Sequence, residues 1–164
     1  MSVGAYVLAH FTDSEKLLPA AQLVNRFENV VRWNAVEGHA HLVVKLDKPS
    51  QEIPRQIIHL DGIDSLQSYD IEEDNDKNIN FDPSLSYSYL FIEVEPIKSE
   101  SVRKFLIEQD EILFCSRIKG GCDFVAVIKS KTFEDINRRI NEKIRTLDGI
   151  LRLKQDRIID LTKF

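Results

Sequence analysis

The sequence has little of what several classes of protein require. Its 164 residues include one methionine, one tryptophan and two cysteines. No run of residues approaches the ~18 apolar positions that a membrane-spanning helix needs. The N-terminal stretch Met1–Val7 has no basic segment ahead of an apolar one, as a secretory signal would. We therefore expect a cytoplasmic protein with no membrane partner.

Positive charge and catalytic signatures are also scarce. The chain has 22 Lys and Arg against 27 Asp and Glu, a net charge of -5. Nucleic-acid binding usually needs a cationic excess, so we expect no direct nucleic-acid partner. The sequence contains no P-loop, dinucleotide fingerprint, Ser-His-Asp signature or Cys-His signature. We therefore expect no cofactor, no catalytic residue and no resident metal.

The two cysteines flank a pair of glycines, Gly120-Gly121. If these glycines form a two-residue hairpin turn, Cys115 lies opposite Ala126 and not opposite Cys122. A disulfide needs closely spaced Cβ atoms, so this register predicts two free thiols. A redox pair or a metal site is the alternative.

The chain contains an internal repeat. Leu60-Asp61-Gly62-Ile63 recurs as Leu147-Asp148-Gly149-Ile150, and strand-like Tyr6–Phe11 is matched by Tyr89–Val94. Each half then reads β-α-β-β-α-β, which is the order of a ferredoxin-like fold with a four-stranded antiparallel sheet and both helices on one face. The other predicted strands are Val30–Val36, Leu42–Leu46 and Ile63–Ile71 in the first half, and Ile112–Ile118, Phe124–Ile128 and Ile150–Ile159 in the second.

This pattern divides the chain into a first domain at 1–72, an acidic linker at 73–86 and a second domain at 87–164. Residues 1–82 carry 7 basic and 14 acidic side chains, whereas residues 83–164 carry 15 and 13. The halves thus have net charges of opposite sign, which favours their association with each other.

Strand alternation predicts a sheet face that the helices do not cover. Because an exposed apolar face usually meets a partner, we expect antiparallel sheets packed face to face, as in an α+β barrel, within one chain or in a homo-oligomer. The polar residues of this face either lie in solvent or line a small-molecule cleft. The apolar residues are Tyr6, Leu8, Val43, Tyr89, Phe91, Phe114, Val125 and Val127, and the polar ones are His10, His41, Glu93 and Asp123.

The second half resembles the Lrp/AsnC ligand-binding domain, also called the RAM domain. The resemblance rests on Tyr89–Pro96, on the turn Gly120–Val125 and on Leu147–Ile150. It implies assembly through the sheets. It also implies binding of an amino acid or a related small effector at a subunit junction near the Gly-x-x-Asp turn.

The resemblance places the ligand on particular residues. It implies that Gly120 admits the ligand to the backbone and that the Asp123 carboxylate accepts from an ammonium group. In the first half Gly38 matches, but His41 stands at the Asp position, and Arg152 and Lys154 replace the hydroxyl-rich last strand. The candidate ligand-binding residues are Gly120, Gly121, Cys122, Asp123, Gly38, His41, His10 and Glu93.

Together these features predict a non-enzymatic tandem sensing protein that binds a small effector. The first strand begins at about Ala5, which leaves no room in this sequence for the helix-turn-helix of full-length regulators. Regulation would then act through a protein partner or through oligomerisation.

Three other classes share the topology. An ACT domain ranks second among sensors, because the first strand-to-helix turns lack its glycine. An RNA-recognition module needs aromatic or basic residues where Asp123 and Val125–Val127 stand. A small dimeric α+β barrel enzyme, of monooxygenase or isomerase type, would use His10 or His41 as a base. In that case His39 and His41, which share a strand face, could add a metal-binding pair.

Overall fold

The computed structural model describes residues 3–75 and 80–159. The chain divides into two compact units, residues 1–72 with 158–164 and residues 73–157. Strands extend into both ends of the predicted linker 73–86, and residues 76–79 of that linker lie outside the described residues. The predicted domain boundaries stay predictions.

The first unit is a ferredoxin-like repeat. Strand β1 pairs antiparallel with β3 and β4, and β3 pairs with β2, which gives the strand order β4-β1-β3-β2. A one-turn 3-10 helix, Ser14–Lys16, precedes the first α-helix. The elements are β1 (Gly4–Phe11), α1 (Leu17–Val24), β2 (Val30–Glu37), β3 (Leu42–Leu46), α2 (Glu52–Ile58) and β4 (Ile63–Glu73).

The second unit repeats this order, which confirms two ferredoxin-like repeats. Strand β5 pairs with β7 and β8, and β7 pairs with β6, giving β8-β5-β7-β6. Cys115 lies opposite Ala126, as the predicted hairpin register requires. The elements are β5 (Ser86–Val94), α3 (Ser99–Glu108), β6 (Ile112–Lys119), β7 (Phe124–Ser130), α4 (Phe133–Arg139) with a π-helical continuation (Ile140–Ile144), and β8 (Ile150–Ile159).

Each unit has its own core between sheet and helices. The residues predicted to face the helices lie in these cores: Val7, Ala9 and Phe11 with α1 and α2, and Leu90, Ile92 and Val94 with α3 and α4. On the opposite strand face Tyr6, Leu8, Tyr89, Phe114, Val125 and Val127 are also buried. The face-to-face arrangement of the two sheets stays a prediction.

The glycine of each Leu-Asp-Gly-Ile motif is required by both conformation and space. Gly62 and Gly149 have φ angles of 91° and 101°, in the left-handed region that disfavours side chains. A Cβ atom at Gly62 would lie 2.3 Å from Cβ of Lys16, and one at Gly149 would lie 2.4 Å from Cβ of Lys98. The last turn of each repeat therefore packs directly against its first helical turn.

The aspartate of the motif binds the same lysine. Asp61 lies 3.0 Å from Lys16 Nζ, and Asp148 lies 2.9 Å from Lys98 Nζ. In both pairs the hydrogen bond and the negative charge of the aspartate raise the pKa of the lysine. The repeated tetrapeptide thus makes the same glycine–lysine contact and the same aspartate–lysine ion pair in both repeats.

Gly149→Ala is expected to destabilise the protein by about 2 kcal/mol or more, because it combines an unfavourable φ with a steric clash. Urea unfolding of the full chain measures the change. In a double-mutant cycle, Lys98→Gly removes the clashing Cβ and should recover part of the loss. A Gly149→Ala protein as stable as the wild type would contradict this packing.

Candidate functional site

Asp123 follows the β6–β7 turn, in which Gly120 has a φ of 123°. Its backbone N–H donates to Ile92 O at 2.9 Å, and its carbonyl accepts from Ile118 N at 2.9 Å. Its carboxylate Oδ2 accepts from the backbone N–H of Val94 at 2.8 Å. The side chain predicted to bind a ligand therefore also binds the end of strand β5.

This side-chain bond compensates for an irregularity in the sheet. The pairing of β5 with β7 ends at Ile92 and Phe124, so the Val94 N–H lies beyond that ladder, where the pairing with β8 also shifts register between Glu93 and Val94. Nearly all buried backbone N–H groups in folded proteins find an acceptor. We call the bond from this bulged N–H to the residue after the turn the bulge latch.

His41 forms the same latch in the first unit. The pairing of β1 with β4 shifts register between His10 and Phe11, and the Phe11 N–H donates to His41 Nδ1 at 2.9 Å. The His41 backbone also donates to Ala9 O at 3.0 Å, as Asp123 does to Ile92 O. The substitution of histidine for aspartate therefore keeps the hydrogen bond, with the proton of the neutral ring on Nε2.

Three histidines lie together beside this first latch. The ring centroid of His10 is 6.4 Å from that of His39 and 5.9 Å from that of His41, both in edge-on arrangements. His10 Nε2 hydrogen-bonds to the carbonyl oxygen of His39, and His10 Nδ1 is buried without a hydrogen-bond partner in the described structure.

The arrangement disfavours the His39 and His41 metal pair. His41 Nδ1 already accepts the Phe11 N–H, which removes one of its two possible ligand atoms. Within residues 3–75 and 80–159, no three His, Cys, Asp or Glu side chains are grouped so that they could hold a metal ion.

Glu93 and Cys122 lie near Asp123. Glu93 forms an ion pair with Arg152 at 3.4 Å, and the Arg152 side chain is 66% exposed, so the pair contributes little to stability. Burial raises the pKa of Cys122 to about 12, with further contributions from the charges of Asp123 and Glu93. Three of the candidate ligand-binding residues, Cys122, Asp123 and Glu93, thus lie near one another in the second unit.

Both thiols are free and protonated at neutral pH. Burial also raises the pKa of Cys115 to about 12, against the effect of Arg103 and Arg117. Thiolates, not thiols, bind metals and attack disulfides. The structure therefore disfavours the alternative of a redox pair.

The burial of two polar side chains was not predicted from the sequence. Asp156 is fully buried and Lys45 is 7% exposed. Lys45 lies opposite Tyr6, with Nζ 5.9 Å from the ring centroid, and Asp156 lies opposite Tyr89. Continuing the alternation into β8 would have placed Asp156 on the strand face opposite the helices.

The fold and its paired turns define a tandem ferredoxin-like protein. Residues 88–160 match the family model of the Lrp/AsnC ligand binding domain. This match covers most of the second repeat, and the first repeat has the same strand order and the same latch.

Two solved structures of low sequence identity share the fold over most of this chain, and a third is similar to less than half of it. The siroheme decarboxylase NirDL, in complex with an iron-uroporphyrin III analogue, is 10% identical over 95% of this chain and 71% of its own, with a TM-score of 0.71. A proposed monooxygenase from Fusobacterium nucleatum is 13% identical over 94% of this chain and 89% of its own, with a TM-score of 0.58. A hypothetical protein from Pyrococcus horikoshii is 20% identical over 46% of this chain and 90% of its own, with a TM-score of 0.44.

A comparison with curated proteins finds no match to the chain. None of the helices in the described ranges combines the length and apolarity needed to cross a bilayer.

Asp123→Ala is expected to destabilise the protein by about 1–3 kcal/mol, because it leaves the bulged Val94 N–H without its acceptor. Asp123→Asn should cost less, since the amide oxygen can still accept that N–H. Urea unfolding measures both changes, and hydrogen exchange at Val94 tests the mechanism. Equal stability of the alanine and asparagine variants would argue against the latch.

Both cysteines are expected to react slowly with a thiol reagent at pH 8 in the folded protein. Raising the pKa from 9.0 to about 12 lowers the thiolate fraction about a thousandfold. Because the folded pKa values exceed the unfolded value of 9.0, the free energy of unfolding is highest below that pH and falls as the pH rises towards 12. Labelling in urea gives the unfolded rate, and rapid labelling of folded Cys122 would contradict the assignment.

Proposed function

We propose that this protein senses a small effector, such as an amino acid, at the Gly120–Asp123 turn, and that it acts without catalysing a reaction. The match of residues 88–160 to a ligand-binding domain carries the proposal. The Lrp/AsnC family generally binds small effectors and oligomerises. We further propose that this cytoplasmic protein forms homo-oligomers and transmits the signal through oligomerisation or a protein partner.

The geometry of the turn is compatible with an effector that carries an ammonium group. A carboxylate has two oxygens and about four lone-pair sites, so accepting the Val94 N–H leaves Asp123 with further capacity. The left-handed Gly120 has no side chain to block an approach to the turn backbone.

Cations of strand β8 supply a second feature of the proposed site. Arg152 pairs with Glu93, and the charge of Lys154 acts on Cys122, which places both cations near the turn. They stand where the family has hydroxyl groups. We propose that they meet the carboxylate of the effector, which would distinguish this site from hydroxyl-lined ones.

The proposal is tested by a thermal-shift screen of the standard amino acids and common nucleotides against the full chain. A ligand that binds the folded state should raise Tm with the logarithm of its concentration over Kd. Asp123→Asn should reduce this shift while it keeps the latch. The matched control Asp110→Asn, at an exposed position, should leave the shift unchanged. A full shift in Asp123→Asn would contradict the role of this carboxylate.

A second candidate function is catalysis at the histidines of the first unit. The buried Nδ1 of His10, without a hydrogen-bond partner in the described structure and beside His41, is the observation that favours it. A neutral imidazole nitrogen of this kind can act as a base. The enzyme NirDL shares the fold over most of this chain.

An absorbance titration with iron-uroporphyrin III tests this candidate, with His10→Ala as the comparison. Saturable binding that the substitution abolishes would favour the enzyme over the sensor. A spectrum that does not change on addition of the protein would argue against a porphyrin substrate.

A further inference from the structure

Two arginines of the second unit converge on one carboxylate that is not among the residues of the Gly120–Asp123 turn. Arg103 Nη1 of α3 lies 3.3 Å from Glu73 Oε2, and Arg117 Nε of β6 lies 3.4 Å from Glu73 Oε1. Each arginine side chain is 17% exposed, whereas that of Glu73 is 53% exposed. Two largely buried cations therefore share one half-exposed anion.

Other contacts hold Arg117 in place. Its Nη1 donates to Ser99 Oγ at 2.7 Å, its Nη2 hydrogen-bonds to Glu100, and its guanidinium carbon lies 5.2 Å from the ring centroid of Phe124. The Glu100 side chain is 81% exposed, so solvent screens its charge. A guanidinium fixed in this way loses little conformational entropy when it binds a ligand.

Glu73 forms only long contacts with the two arginines. Charge-assisted N–H···O bonds are usually about 2.7–2.9 Å long, shorter than either Glu73 contact. In the described structure Nε of Arg103 and Nε of Arg117 are both buried without a hydrogen-bond partner. Leaving a buried charged donor with no acceptor at hydrogen-bonding geometry is costly. The arginine pair therefore has binding capacity that its own chain does not use.

We propose that Arg103 and Arg117 form an anion-binding site for the carboxylate or phosphate group of a small molecule, and that Glu73 is its built-in competitor. Planar guanidinium groups bind both kinds of anion through paired N–H donors. An incoming anion replaces the Glu73 carboxylate between the two guanidinium groups. This site does not depend on the effector site proposed at Asp123.

Displacement of Glu73 has a structural consequence. The next two residues bind the edge of β6: Asp74 Oδ1 accepts from Ser116 Oγ at 2.9 Å, and Asn75 Oδ1 accepts from the Cys115 N–H at 2.8 Å. Glu73 is thus one of three consecutive anchors of this segment. Anion binding releases one anchor and weakens the attachment of the other two.

The test is isothermal titration of the full chain with inorganic phosphate and, separately, with acetate, at an ionic strength held constant with NaCl. Glu73→Gln should bind one of these anions at least about tenfold more tightly than the wild type, since the competing charge is gone. Glu72→Gln makes the same change of charge at the exposed neighbouring residue and should behave as the wild type. The preferred anion identifies the ligand group.

Adding Arg117→Gln to the Glu73→Gln variant should abolish the gain. Binding by Glu73→Gln no tighter than by Glu72→Gln, or a gain that survives loss of Arg117, overturns the proposal.

The wild-type protein gives an independent measurement that needs no variant. Phosphate or acetate should shift the Nε–H resonances of Arg103 and Arg117 in an NMR titration, NaCl should not, and resonances that neither anion shifts overturn the proposal.

Discussion

The bulge latch is the interaction on which the geometry of both turns depends. In each repeat the first strand continues past the end of its ladder with the third strand, at a register shift against the last strand, and one backbone N–H lies beyond that ladder. The residue after the glycine turn accepts that N–H, with His41 binding Phe11 and Asp123 binding Val94. Because a buried donor without an acceptor is costly, the latch ties the hairpin to the strand end and sets where the turn lies.

The two repeats use this latch with different chemistry. The Asp123 carboxylate has lone pairs left to accept further donors, which suits binding of an ammonium group. An imidazole whose Nδ1 accepts a backbone N–H has only Nε2 for another contact, and His10 and His39 lie beside it. The two halves therefore share the fold, whereas the side chains available for chemistry at the two turns differ.

Charge in the second unit is arranged around buried arginines as well as around the turn. Arg103 and Arg117 share Glu73 with long contacts, although each is largely buried. Their positive charges also lower the pKa of Cys115 slightly against the larger effect of burial. The charged groups of this unit thus include the Asp123 carboxylate beside the turn and a cationic pair on α3 and β6.

Much of the fold was predictable from the sequence. The spacing of the apolar residues, the glycines of the turns and the Leu-Asp-Gly-Ile repeat can all be recognised in the sequence without knowing how distant segments pack. The free thiols followed from hairpin register alone. The roles of His41 and Asp123 in the latch were not predictable, since a register shift depends on how neighbouring strands pair. The cluster of Glu73, Arg103 and Arg117 joins residues far apart in the chain, so only the tertiary structure could bring these charges together.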